Sequence, residues 1–89
     1  MEASPRYPWL ATAVHLGQLA RSGARWEVYL QTEPHPDLAA VRGRLHFLGG
    51  DRHRATGWVF LEWTGKDVLE RSRQFSATEL WSLLEAVAP

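Results

Sequence analysis

The sequence predicts a small α+β domain, in which a four-stranded antiparallel meander lies between an N-terminal and a C-terminal helix (α-β-β-β-β-α). Three observations support this prediction. Two segments alternate apolar and polar residues, as half-buried strands do, and a third is apolar on both faces. The C-terminal segment opens with a helix-capping motif. The links between the strands are short, which favours antiparallel neighbours over crossover connections.

The length and composition of the chain set bounds on its class. We expect residues 1–8 of the 89 to be a mobile lead-in and residues 9–89 to form a single domain. Ten basic and ten acidic side chains cancel, so no net field attracts nucleic acid or an anionic membrane. The absence of cysteine excludes disulfides and thiolate chemistry. No segment is apolar enough to span a membrane, and arginine far outnumbers lysine, so we expect a bacterial cytoplasmic protein.

The first helix is predicted over residues 9–22. Apolar residues recur there at helical spacing, and Arg21 is the only charged residue. Pro8 suits the first turn of a helix, and Gly23 suits a C-cap. Because a helix with so little charge is usually buried on more than one side, we expect it to pack against the sheet.

Four strands are predicted between the two helices. Their ranges are 25–32, 41–48, 54–63 and 68–75. The third strand is the most unusual, because bulky apolar groups occupy both its odd and its even positions from Gly57 to Trp63. An antiparallel strand with one wet face alternates apolar and polar residues, so something must cover the second face of this one.

The charge pattern predicts which face of the third strand belongs to the core. No charged residue occupies an odd position between Ala55 and Trp63, so we assign Val59, Leu61 and Trp63 to the core. The even positions are assigned to the second face of the sheet. That face then collects aromatic and basic side chains from three strands: Tyr29, Arg42, Arg44, His46, Trp58 and Phe60.

The last helix is predicted to follow Ser76. The residues Ser76-Ala-Thr-Glu79 form a capping box, in which each of the two polar side chains bonds the backbone N–H of the other residue. Leu80, Leu83, Leu84 and Val87 then recur at helical spacing and are expected to face the core.

The predicted function is that of a non-catalytic interaction module, an adaptor or a self-associating domain, which binds through its sheet face or edge. The rings of the second face are expected to anchor a protein partner, and the arginines to set its register. Two other arrangements stay open at this point. The N-terminal helix can cover the second face and make its rings core residues, or a second copy of the chain can seal it as a homodimer.

The alternative function is single-stranded nucleic-acid binding by the same residues. Flat rings stack on bases, and guanidinium groups pair with phosphates. Residues 41–56 carry four arginines and only one aspartate. A four-stranded meander followed by a helix also resembles, in topology alone, the half-units of Whirly-type and Pur-type single-stranded nucleic-acid binders. A likeness of topology assigns no family and no function.

Metal binding and catalysis have little support in the sequence. His35 and Asp37, and Asp51 and His53, lie close together in pairs, but neighbouring arginines repel a cation. With Thr56, Asp51 and His53 form at most a loose base-and-nucleophile set on an exposed loop. The segment 64–67 lacks the residues of a phosphate-binding loop on either side of its lysine. We therefore expect no metal, no cofactor and no enzymatic activity.

Overall fold

The computed structural model describes residues 7–87, and its centre is an antiparallel sheet. In chain order the elements are a 3₁₀ turn (Pro8–Ala11), β1 (Val14–Arg21), β2 (Ala24–Pro34), β3 (Val41–Gly49), β4 (Arg52–Ala55), β5 (Phe60–Glu62), α1 (Gly65–Arg73) and α2 (Ala77–Ala86). Strands β1, β2 and β3 are neighbours in sequence order, and the free side of β3 pairs with both β4 and β5. The predicted α+β class and the antiparallel meander are confirmed.

Residues 1–6 of the predicted lead-in, and residues 88–89 of the predicted domain, lie outside the described residues. The described chain begins with Tyr7, followed by the 3₁₀ turn. Pro8 opens the 3₁₀ turn, which places a Pro at a position where its missing N–H costs nothing.

Residues 9–22 form part of that turn and a strand, so the predicted N-terminal helix is wrong. The strand contains a bulge, because its register with β2 skips one residue between His15 and Gly17. Because of the extra residue, the apolar residues of this strand no longer alternate strictly with polar ones. Their spacing in the sequence then resembles that of a helix. Gly17 has a φ of 149°, a conformation that other residues rarely adopt.

A two-residue turn joins β1 to β2. Ser22 and Gly23 have φ values of 52° and 83°, and two successive positive values are the signature of a type I′ hairpin turn. Gly23, predicted as a helix C-cap, therefore serves a hairpin in which Arg21 pairs with Ala24.

The predicted fourth strand, 68–75, is wrong, because most of these residues belong to helix α1. Thr64 caps this helix, because its side-chain oxygen accepts a hydrogen bond from the N–H of Asp67 at 3.1 Å. Val68 and Ser72 are buried one helical turn apart on its inner side. Ser72 donates its hydroxyl hydrogen to a carbonyl of the same helix at 2.8 Å, so this polar side chain can lie on the core-facing side of the helix. Because a polar residue occupies that side, the apolar residues of the segment do not show a clear helical period.

Helix α2 begins at the predicted capping box, which is confirmed. The hydroxyl oxygen of Ser76 accepts from the N–H of Glu79 at 3.1 Å, and the Glu79 carboxylate accepts from the N–H of Ser76 at 2.8 Å. Within residues 7–87, neither helix has the length and apolar character needed to cross a membrane.

One hydrophobic core lies between the sheet and the two helices. Its buried apolar side chains are Leu19, Trp26, Val28, Leu30, Leu45, Phe47, Phe60, Val68 and Leu84. Gly43 lets helix α1 approach β3 closely, because a Cβ atom at position 43 would lie 2.5 Å from Cγ1 of Val68. Any side chain at this position therefore requires Val68 to shift or to be replaced by a smaller residue.

The predicted third strand, 54–63, is broken into β4 and β5. Thr56 stays attached to β3 at the break: its N–H donates to the carbonyl of Leu45 at 2.9 Å, and its hydroxyl oxygen accepts from the N–H of Leu45 at 3.0 Å. The following residues leave the ladder, which resumes with two extra residues when Phe60 pairs with Gly43. The β4–β5 segment is therefore held to β3 on both sides of an irregular insertion.

The β3–β4 hairpin decides which side of β4 and β5 faces the core. Only two residues form its turn, so Gly49 pairs with Arg52, and the even-numbered residues of β4 and β5 lie on the helix side. Phe60 is accordingly buried. The prediction that the odd positions form the core is wrong, because three of them are more than half exposed: Val59 at 51%, Leu61 at 52% and Trp63 at 79%.

Candidate interaction surfaces

The residues predicted to form the interaction face lie mainly on the side of the sheet opposite the helices. We call this side the turn-side face, because the 3₁₀ turn packs on it. The residues found there are Tyr29, Arg42, Arg44, His46 and Trp58. Phe60 is not among them: its ring packs edge-on against Phe75 in the core, with 5.6 Å between the ring centroids. Its predicted place is wrong because the hairpin register gives the even positions of β5 to the helix side.

A chain of hydrogen bonds crosses the centre of the turn-side face. Nε of Arg44 lies 3.0 Å from Oε1 of Gln31, and because a guanidinium only donates, that atom is the amide oxygen. Nε2 of His46, 2.7 Å from the same oxygen, must then carry a proton, which leaves its Nδ1 as an acceptor. Nε2 of His53, 2.9 Å from that Nδ1, is therefore the donor. With His46 in its neutral form, the network places the proton of each imidazole on Nε2.

The 3₁₀ turn covers this centre with aromatic rings. Trp9 stacks on His46, with ring centroids 3.6 Å apart and ring planes 11° apart, and meets Tyr29 edge-on at 5.8 Å. Tyr7 meets the ring of His53 edge-on at 5.0 Å. As a result only 1% of His46 is exposed to solvent. The second face of the sheet is thus covered at its centre by the chain's own N-terminal turn, rather than by a helix.

This environment opposes positive charge on both histidines. Burial, the positive charge of Arg44 and the neighbouring His53 lower the pKa of His46 from 6.5 to about 4. Burial and Arg44 also lower the pKa of His53. Desolvation disfavours the charged form of an imidazole, and a nearby guanidinium adds like-charge repulsion. Both rings are therefore neutral packing groups near pH 7.

The arginines of the turn-side face contact other groups of the same chain. Their guanidinium carbons lie over the ring of Trp58, 4.1 Å from its centroid for Arg42 and 4.5 Å for Arg44. Arg42 also forms an ion pair with Glu33, to which its Nε donates at 3.1 Å. Arg44 uses its Nε on Gln31. Nucleic-acid binding would require the Trp58 ring to stack on a base and the two arginines to pair with phosphates. In the structure these groups already contact one another.

Two of the residues considered for catalysis, Thr56 and His53, bond other groups of the same chain. The hydroxyl of Thr56 donates to the carbonyl of Gly57 at 2.7 Å while it accepts from the N–H of Leu45. Nε2 of His53 points to His46. Among residues 7–87, no three histidine, aspartate or glutamate side chains converge as they would to hold a metal ion.

A second surface, which we call the edge groove, lies between β5 and the loop that joins β2 to β3. It has a volume of about 420 Å³ and is lined by Leu38, Ala39, Ala40, Leu61, Glu62 and Trp63. Its large apolar side chains are exposed, with values of 55% for Leu38, 52% for Leu61 and 79% for Trp63. A concentration of exposed apolar groups at one place is typical of a surface that binds another molecule.

The groove adjoins an open strand edge. Within the described chain, β5 pairs with β3 on one side and with no strand on the other. The N–H and C=O of Leu45 point to the side of β3 that pairs with β4 and β5, as the bond to Thr56 shows. Along a strand, successive residues point their backbone groups to alternate sides. Phe60 and Glu62 therefore point their backbone groups at β3, and the N–H and C=O of Leu61 point outward. Leu61 presents an exposed side chain to the groove and its backbone to the open edge.

No protein-family model, curated protein or solved structure matches this chain.

Sequence reasoning missed the edge groove because it placed Leu61 and Trp63 in the core and gave Leu38 no role. The signal that identifies the exposed positions is the length of the β3–β4 turn. A two-residue turn pairs Gly49 with Arg52 and so fixes which residues of the following strands share a face with the core positions of β3.

Proposed function

We propose that this protein is a small protein-interaction module that binds an extended segment of a protein chain along the outer edge of β5. The observation that carries the proposal is the coincidence, at Leu61, of an open strand edge and an exposed apolar groove. A segment that pairs with β5 takes up the outward N–H and C=O of Leu61, and its alternate side chains enter the groove. The backbone bonds supply affinity, and the groove supplies selectivity.

The turn-side face supports this role less well than the edge does. Its centre is covered by Trp9, and His46 beneath that ring is nearly inaccessible. Arg42 is neutralised by Glu33 and stacked on Trp58. A partner on this face would have to displace contacts that already stabilise the fold, whereas Leu38, Leu61 and Trp63 of the edge groove are already more than half exposed.

The lining of the groove indicates the chemistry of the segment that it binds. Glu62 is the only charged residue of the lining, and its carboxylate lies 3.3 Å from a guanidinium nitrogen of Arg71. The remaining lining residues are apolar. The complementary segment is therefore extended, with aliphatic or aromatic side chains at alternate positions, and not a polyanion.

Selection from a random peptide display library tests this proposal. Peptides are selected on the wild-type chain and then tested on Leu61→Arg, which adds a charge to the groove, and on Leu10→Arg, which changes an exposed leucine of the 3₁₀ turn. We expect alternating apolar peptides whose affinity drops at least about tenfold in Leu61→Arg and stays unchanged in Leu10→Arg. Amide chemical shifts should move at residues 38–40 and 59–63. Peptides that bind Leu61→Arg as well as wild type contradict the proposal.

An oligonucleotide titration tests the alternative. Single-stranded oligothymidine is added at low and high salt while tryptophan fluorescence is followed. The proposal predicts no response at either salt concentration. Salt-sensitive quenching that disappears in Trp58→Ala and in Arg44→Ala would instead assign the turn-side face to nucleic acid and overturn the proposal.

A further inference from the structure

We infer that the segment bound by β5 is the β5 strand of a second copy of this chain, in a symmetric dimer whose two-fold axis passes through Leu61. This inference rests on the proposed function and adds the identity of the partner. A two-fold dimer needs a surface that is complementary to itself, and the edge of β5 has that property.

The backbone of Leu61 provides the central contact. When two β5 strands run antiparallel with Leu61 facing Leu61 of the second copy, the outward N–H of each donates to the outward C=O of the other. The sheet then continues from one copy into the next. An exposed edge strand with apolar side chains is prone to unregulated pairing, and a specific dimer closes that edge.

The exposed side chains match in the same register. Val59 and Trp63 lie two residues to either side of Leu61, just beyond the two ends of β5. When the pairing extends by one residue at each end, Trp63 of one copy comes opposite Val59 of the other. Cross-strand pairs of an aromatic and a β-branched residue are favourable, so all three exposed apolar residues of this edge gain an apolar neighbour.

The neighbouring symmetric registers are worse. An axis at Glu62 places the two Glu62 carboxylates directly opposite each other, which is a repulsive cross-strand pair. An axis at Phe60 places Trp63 opposite Gly57, which has no side chain to contact the indole. The Leu61 axis instead sets Glu62 opposite Phe60, and Glu62 keeps its ion pair with Arg71.

A charge-swap experiment tests the axis directly. Sedimentation velocity is recorded over a concentration series for wild type, for Leu61→Arg, for Leu61→Glu and for an equimolar mixture of the two variants. Each variant alone brings like charges together across the axis, and we expect its dimer dissociation constant to rise at least about tenfold. Because the mixture brings opposite charges together, we expect it to dimerise within about threefold of the wild-type constant. Leu10→Arg is the matched control and should dimerise as wild type does.

Cross-linking provides a second measurement that leaves the groove uncharged. Since the chain has no cysteine, Leu61→Cys carries a single thiol. Directly opposite residues of a hydrogen-bonded pair have Cα atoms about 5.5 Å apart, within the range of a disulfide. Under mild oxidation we expect Leu61→Cys to form covalent dimers at least about fivefold faster than Leu38→Cys, an equally exposed position away from the axis.

The results separate this inference from the proposed function. A wild-type chain that stays monomeric at millimolar concentration, while selected peptides still bind at β5, overturns the second copy as the partner and supports the proposed function. A dimer that persists in Leu61→Arg, or a mixture no more dimeric than its two components, overturns the inference by placing the contact elsewhere. Absence of both dimer and peptide binding overturns the inference and the proposed function together.

Discussion

The turn-side face and the edge groove both concentrate large apolar and aromatic side chains, but the chain covers the first and leaves the second open. Trp9 lies flat on His46, which is 1% exposed, whereas Trp63 beside the groove is 79% exposed. One indole completes the packing of the sheet, and the other extends into solvent. Aromatic content alone therefore does not identify a binding surface, because buried aromatic residues are common. Exposure beside an open strand edge is more informative.

The largest loss in the free energy of unfolding is expected for a substitution at the centre of the covered face. His46→Ala removes the partner of both Gln31 and His53 and leaves a cavity beneath Trp9. We expect the free energy of unfolding to fall by about 3 kcal/mol, as measured by urea denaturation. His15→Ala, on the same face, removes a solvent-exposed bond to Glu27 and should cost less than about 1 kcal/mol. Equal losses in the two variants would show that the centre is not the better-packed region.

A pH titration of stability should give the next largest effect. The folded chain holds the pKa of His46 at about 4, against 6.5 for an ordinary imidazole, and lowers that of His53 in the same direction. The unfolded chain therefore binds protons that the folded chain excludes as the pH falls below 6.5. We expect the free energy of unfolding to drop by on the order of 2–3 kcal/mol between pH 7 and pH 4, with no contribution from these groups above pH 7.

Two variants sharpen the pH measurement. His46→Gln should flatten the slope between pH 6.5 and pH 4.5, whereas Trp63→Ala, which changes only the open region, should keep it. An unchanged slope in His46→Gln would assign the pH dependence to other groups.

The two indoles offer a matched pair for a smaller effect. We expect Trp9→Ala to lower the free energy of unfolding by about 2 kcal/mol, because the ring that covers the sheet is lost, and to raise the pKa of His46 toward 6.5 as water reaches the imidazole. Trp63→Ala should change stability by less than about 0.5 kcal/mol and weaken only the binding at β5. Urea denaturation and an NMR titration of the His46 ring protons measure both quantities. A stability loss in Trp63→Ala as large as that in Trp9→Ala would contradict the division into covered and open regions.

The smallest expected effect lies where the covered face meets solvent. Trp58→Ala removes a ring that lies under the guanidinium groups of Arg42 and Arg44. Partly exposed cation–π contacts are weak, so we expect a loss of about 1 kcal/mol, with part of it retained in Trp58→Phe. A loss of more than about 3 kcal/mol in denaturation experiments would mean that Trp58 belongs to the covered centre rather than to its rim.

The parts of the fold that the sequence predicts correctly depend on local patterns. Strands β2 and β3 alternate apolar and polar residues, and α2 begins with a capping box whose donors and acceptors lie within four residues of each other. The common face of Tyr29, Arg44 and His46 follows from the same alternation, because these side chains lie on regular stretches of neighbouring strands.

The errors arise where one residue interrupts a pattern or where distant segments meet. The bulge before Gly17 gave a strand the spacing of a helix, and the buried hydroxyl of Ser72 gave a helix the appearance of a weak strand. Arg54 lies on the core side, where its guanidinium lies over the ring of Trp26 at the margin of the core. The absence of charged residues at the odd positions therefore indicated the wrong face. The edge groove depends on contact between β5 and a loop more than twenty positions earlier in the chain, which no local pattern reveals.

The close approach of α1 to β3 has a consequence for the natural variation of this sequence. Position 43 and position 68 share a single volume, which Val68 fills because residue 43 is glycine. In related chains the two positions should vary together, so that an alanine at position 43 accompanies a smaller residue at position 68. This pair of positions, 25 residues apart, would then serve as a covariation signature for recognising remote homologues that keep the same helix-on-sheet packing.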